Sequence, residues 1–187
     1  NIQLIKQLQP DLIIANKEEN VKEQIEELQK HFPVWISDVN DINDAYEMIE
    51  QVGLMTDRQQ PAEKIIFRIK ENFSRLPSQY SRVSAAYLIW QNPYMVASAD
   101  TFINSMLEAA GFQNIFSGKK RYPEITIDEL IKLNPKVLLL SSEPFPFKQK
   151  HADELQKKLP GTKVILSDGE MFSWYGSRML LMPQYLQ

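Results

Sequence analysis

Cysteine is absent from the 187-residue chain, which excludes disulfide staples, thiolate metal sites and cysteine nucleophiles. Histidine occurs only twice, at His31 and His151, each in a lysine-flanked stretch that reads as helix. Two isolated imidazoles do not make a ligand pair, so a site for a bare metal ion such as zinc is not expected. The six glycines are isolated from one another, and neither a glycine-rich phosphate loop nor a Gly-x-Ser-x-Gly elbow is present. No apolar run approaches the roughly 20 residues that span a bilayer. Basic residues are not in excess either: 21 Lys and Arg against 24 Asp and Glu give a net charge of −3. With the cations scattered, nucleic acid is not an expected partner. What is present, 43% apolar and 24% charged residues, suits a folded core and argues against disorder or coiled coil.

The chain carries an internal repeat. NIQLIKQLQPDLIIA at residues 1–15 has a counterpart in TIDELIKLNPKVLLL at 126–140, with Pro10 falling on Pro135. The likeness resumes where ELQKHFPVWISD at 27–38 matches ELQKKLPGTKVILSD at 154–168. Each copy reads as a short helix, a proline, a buried strand, a second helix, a proline turn and a second strand. Aliphatic strands without polar alternation, joined by helical crossovers, predict parallel sheets covered on both faces. The expected fold is α/β, with two βαβ-type lobes related by duplication.

Between the copies, PAEKIIFRIKENFSRLP predicts a helix over residues 61–76, opened by Pro61 and closed by Pro77. Ile65, Ile66, Ile69, Phe73 and Leu76 fall on one stripe of it. The expected division is therefore an N-terminal lobe at 1–60, a connecting backbone helix at 61–77 and a C-terminal lobe at 78–187. The second lobe opens with a strand at 82–90, a shorter one near 94–98 and a helix that Gly111 stops. No equivalent precedes Asn1, so the first lobe is expected to be incomplete on its N-terminal side.

In open α/β sheets, ligands lie beyond the carboxyl ends of the strands. The repeat identifies those loops: Asn16-Lys17-Glu18-Glu19-Asn20 after the first strand, and 141–147, which holds Phe145 and Phe147, at the matching point. Trp90 ends its strand with Tyr94 just beyond, and Asp168 is followed by a segment holding Phe172, Trp174, Tyr175 and Arg178. Aromatic clusters with a few charges suit a large, flat, partly apolar ligand bearing negative charge. The candidate ligand-binding residues are Trp90, Tyr94, Phe145, Phe147, Trp174, Tyr175, Arg178, Lys17 and Glu18. Phe102 and Phe172 read better as core. Arg178 either meets ligand charge or pairs with a carboxylate on a surface helix, and Lys17-Glu18-Glu19 also fits a solvated helix start. Carboxylates are plentiful but nothing in the sequence sets two together in a cleft, so an enzyme is the second reading and a sensor on the same fold a third.

These residues resemble the substrate-binding proteins of ABC importers for vitamin B12, haem and iron siderophores. The likeness rests on Leu8-Gln9-Pro10-Asp11-Leu12-Ile13-Ile14, Gly53, Tyr87-Leu88-Ile89-Trp90 with Pro93, and Thr101-Phe102. It continues through Gly111-Phe112-Gln113-Asn114-Ile115, Tyr122-Pro123-Glu124-Ile125 and Leu133-Asn134-Pro135. The Ala-Asn-Lys-Glu-Glu-Asn stretch at 15–20 is most similar to the vitamin B12-binding-like branch. The resemblance implies capture of a metal chelate between lobes and delivery to a membrane permease, with no cofactor, no resident metal and no catalysis. It also implies a periplasmic or extracellular monomer, with a signal and a possible lipid anchor ahead of Asn1. Asp128 or Glu129 would dock on the permease from the second lobe. In the first lobe Gln3 stands where many members carry Glu, which weakens the matching contact there.

Overall fold

Aliphatic and proline-punctuated segments set the elements in a computed structural model that describes residues 1–76 and 82–186. Pro77, the expected stop of the backbone helix, lies outside the described residues. The chain divides into two compact units, Asn1–Val39 and Asn40–Gln187.

The first unit runs α1 (Ile2–Leu8), β1 (Ile13–Asn16), α2 (Lys22–Gln29) and β2 (Val34–Ser37). The Asn1 side chain caps α1 by accepting the Leu4 N–H at 3.2 Å, satisfying one of the helix's free donors. β1 and β2 pair in parallel, from Ile13 opposite Val34 to Asn16 opposite Ser37. Ala15, Ile25 and Leu28 are buried, whereas Ile14 and Ile36 are exposed. Lys6 and Lys30 both reach Glu27 at 2.9 Å, tying α1 to α2. Hydrogen bonds from Lys6, then Lys30, hold the Glu27 carboxyl down from an ordinary 4.5 to about 2.

The second unit opens with α3 (Ile42–Met55) and α4 (Gln59–Ser74). These helices approach so closely that a methyl group on Gly53 would lie 2.5 Å from the Ala62 Cβ. The Ile42 N–H also donates to Ser105 Oγ at 3.2 Å. These contacts fall within the compact unit Asn40–Gln187. α4 starts two residues earlier than Pro61; a proline in the first turn is tolerated because those N–H groups have no helical acceptor. Its stripe faces inward at Ala62 and Ile69, which are buried, while Phe67 stands exposed on the far side.

The sheet follows with β3 (Val83–Trp90), β4 (Tyr94–Val96), α5 (Phe102–Ala109), β5 (Phe112–Asn114), β6 (Glu124–Ile125), α6 (Ile127–Leu133), β7 (Val137–Ser141), α7 (Gln149–Lys158) and β8 (Lys163–Ser167). α8 (Gly169–Ser173), a 3-10 turn at Ser177–Leu180 and α9 (Met182–Tyr185) close the chain. β3 is central. β7 pairs along one edge of it in parallel, with β8 parallel beyond. Its other edge is shared by β5, parallel at the start of the strand, and β4, antiparallel at its end. One face packs Ala86, Leu88, Leu138 and Leu140 against Leu130, Leu155 and Phe147. Tyr87 packs its ring on Phe172 at 5.1 Å. The sheet is thus covered on both sides, as its unalternating strands predict.

The two copies of the repeat agree in detail. α1 ends at Gln9 and α6 at Asn134, both left-handed (φ 49° and 43°) and both directly before a proline. The Lys17 N–H donates to the Ser37 carbonyl at 2.9 Å, and the Ser142 N–H to the Ser167 carbonyl at 3.0 Å.

Candidate functional site

Because β3, β7 and β8 are parallel, Trp90, Ser141 and Ser167 finish at one edge of the second unit. Two tryptophans stand partly exposed there, Trp90 at 39% and Trp174 at 51%. The loop at 142–148 holds both. Its Phe145 meets the Trp90 ring edge-on at 5.7 Å, and the Phe145 N–H donates to the Ile89 carbonyl at 3.3 Å. Its Glu143 accepts the Trp174 indole N–H at 2.7 Å and the Ser173 hydroxyl at 2.8 Å on the same oxygen.

The loop is itself anchored from beneath. Phe147 is only 6% exposed and belongs to the core, meeting Phe145 at 4.7 Å. His151 packs on both phenylalanines and accepts the Lys148 N–H through Nδ1 at 2.9 Å. Tyr87, fully buried, bonds Ser141 Oγ at 3.1 Å, and burial pushes its hydroxyl pKa well up. The Gly169 N–H donates to Ser142 Oγ at 2.9 Å. A methyl group on Gly169 would lie 2.5 Å from both Glu143 Cγ and Ser141 Oγ, so only glycine lets α8 approach this closely.

Arg178 forms an ion pair with Glu170 and lies over the Trp174 ring at 5.9 Å. The pairing with a helix carboxylate that the sequence offers as one reading of Arg178 is thus present. Tyr175 meets Phe102 edge-on at 5.4 Å, and Phe102 and Phe172 are buried, as their reading as core expects. Tyr94 is half-buried on β4 and accepts from Gln91 Nε2 at 3.3 Å.

In the first unit, residues 16–20 form a closed turn and not a helix start. Asn16 Oδ1 accepts the Glu18 and Glu19 N–H groups at 2.8 and 3.1 Å, and Asn20 Oδ1 accepts the Asn16 N–H at 2.8 Å. Lys17 pairs with Asp38. The order of the short polar side chains explains the turn: asparagine competes for backbone donors and diverts the chain from helix.

Asp128 and Glu129 occupy the first turn of α6. Glu129 is engaged, accepting the Thr126 N–H at 2.9 Å and pairing with Lys119 at 2.9 Å. The hydrogen bond from Lys119, then that from Thr126, lowers its pKa. Asp128 is exposed beside it. Among the described residues no group of three or more His, Asp or Glu gathers to hold a metal ion. An open depression lined by Glu63, Lys64, Phe67 and Arg68 lies on one helix alone, α4.

Sequence reasoning did not single out Glu143, Glu170 and Ser173. Glu143 lies 31 positions from the indole it holds; its placement directly after a strand's carboxyl end was the one available signal.

A family model described as periplasmic binding protein matches residues 1–163. The chain is 26% identical over 139 residues to a vitamin B12-binding protein of Vibrio campbellii, covering 72% of this chain and 50% of that one. It thus spans about half the length of that curated relative. Among solved structures, a possible iron-binding, periplasmic solute-binding protein from Staphylococcus epidermidis superposes with a TM-score of 0.80 at 22% identity, covering 100% of this chain and 78% of that one. The periplasmic vitamin B12-binding protein BtuF of Vibrio cholerae gives 0.81 at 18%, covering 100% and 76%. These two likenesses are of fold. Matched over most of its length by the family model, with the same α/β fold in both structures, the chain belongs to the periplasmic binding protein family.

Proposed function

We propose that this chain is the substrate-binding component of an ABC importer, or the greater part of one. It captures a metal chelate, a cobalamin, haem or ferric siderophore, and hands it to a membrane permease without chemistry of its own. The observation that carries this reading is the pair of partly exposed indoles, Trp90 and Trp174, held by a single loop at the carboxyl edge of a parallel sheet. Rigid aromatic faces at that edge suit a flat macrocycle or catecholate rings. The family match supports it, as do a relative named for vitamin B12 binding and a fold neighbour described as possibly iron-binding.

In this reading Trp90, Phe145 and Trp174 face the ligand, with Tyr94 and Tyr175 as further candidates, and a tyrosinate is a known type of haem-iron ligand. Phe147 acts from the core by seating Phe145. Arg178, in its ion pair with Glu170, stands over Trp174, and Lys17 and Glu18 are the candidate ligand residues of the first unit. Residues 61–77 connect two lobes, at 1–60 and 78–187. The protein works as a periplasmic or extracellular monomer. Asp128, exposed at the start of α6, is the better docking residue for permease cations, because Glu129 is occupied by Lys119.

Tryptophan fluorescence titrated in parallel with cyanocobalamin, haemin and a ferric siderophore tests the reading. Saturable submicromolar quenching by at least one is expected, with affinity at least about tenfold weaker in the Trp90→Ala, Trp174→Ala double variant, the scale of two lost aromatic contacts. No response to any of the three overturns it.

A further inference from the structure

We propose that Glu143 makes the aromatic edge of the second unit selective by ligand charge, favouring uncharged or cationic chelates over those with carboxylate-bearing rims. The inference rests on the proposed function and narrows it to a class of ligand.

The cations named at the candidate site are already committed. Arg178 is paired with Glu170 and lies over Trp174; in the first unit, Lys17 is paired with Asp38. Glu143 differs from these partners. It is half-buried, and its two hydrogen-bond donors, the Ser173 hydroxyl and the Trp174 indole, are both neutral. Among the described residues no Lys or Arg pairs with it. Its negative charge therefore stands unpaired at the edge of the exposed ring.

The hydrogen bond also acts through the ring. An indole N–H that donates to a carboxylate leaves more electron density on its face, and such a face attracts positive charge. A chelate lying on Trp174 thus meets an electron-rich ring with the Glu143 carboxylate at its edge, and over the ring an arginine already paired with Glu170. Peripheral amides, with N–H donors and no charge, fit this surface. Peripheral carboxylates are repelled by it.

Matched ligand pairs separate charge from shape. Binding of the unmodified protein would be measured for cyanocobalamin and its carboxylate derivative, in which a peripheral amide is hydrolysed, and for haemin dimethyl ester and haemin. In each pair that binds, the carboxylate-bearing member should be weaker by about fivefold, the scale of one partly screened charge interaction. Glu143→Gln, which keeps an acceptor for the Trp174 indole, should close most of that gap, and rising salt should narrow it in the unmodified protein. Should the variant fail to fold, the salt series decides. Equal affinities within the pairs, tighter binding of the acids, or a gap that survives both Glu143→Gln and high salt overturns charge selection while leaving chelate binding intact. If no member of either pair binds while a ferric siderophore does, this inference fails and the proposed function stands; if none of the three chelate classes binds, both fail.

Discussion

Gly169 stands where a methyl group would collide with Glu143 and Ser141, and the loop it touches carries the contacts of both exposed indoles. Gly169→Ala should therefore cost about 2 kcal/mol of stability, the usual scale of overpacking, and weaken chelate binding as the loop shifts. Chemical denaturation and the same fluorescence titration measure both; unchanged stability with unchanged affinity would show that the loop is not seated this way. At this scale the sequence was legible in part. Trp90 and Trp174 announce themselves as aromatics in turn-like stretches, and Phe102 and Phe172 read as core. Phe145 and Phe147, two positions apart, could not be told apart from composition; Phe147 is buried in the core and Phe145 packs against it, half-buried. The partners Glu143 for Trp174 and Glu170 for Arg178 depend on how loops and helices meet in space, which no local pattern encodes.

Elements were read more fully, because proline, periodicity and repetition act locally. The helix–proline–strand signature appears twice, and both copies end their helices in a left-handed residue before the proline. α4 begins two residues before the expected Pro61, since proline is accepted anywhere in a first turn, while α3, which neither a proline nor the repeat marks, packs on α4 and α5. α1 and α2 are joined through Glu27, and that contact has a pH signature. The folded-state carboxyl is depressed from 4.5 to about 2. Its stabilising effect is therefore present above pH 4.5 and is lost as pH falls toward 2. Glu27→Gln should be less stable than the unmodified chain near neutrality and converge with it in acid. An acid titration followed by circular dichroism, showing a constant difference down to pH 2, would remove Glu27 from that role.

Across the molecule, the two units differ in how much they bury. The second encloses a sheet covered on both faces, while the first rests on one parallel pair with Ile14 and Ile36 exposed. Two-stranded sheets are marginal alone, so amides of β1 and β2 should exchange with deuterium well before those of β3 and β7. Equal protection, read by mass spectrometry, would mean that the first unit is stabilised by more than its own pairing. The 142–148 loop has a consequence at this scale too. A single short segment touches one indole through Phe145 and the other through Glu143, so neither ring can be displaced without the disturbance reaching the other. Spectroscopically the two would behave as one reporter: a ligand that settles on either should alter the emission of both, and a fluorophore replacing one should sense occupancy at its neighbour.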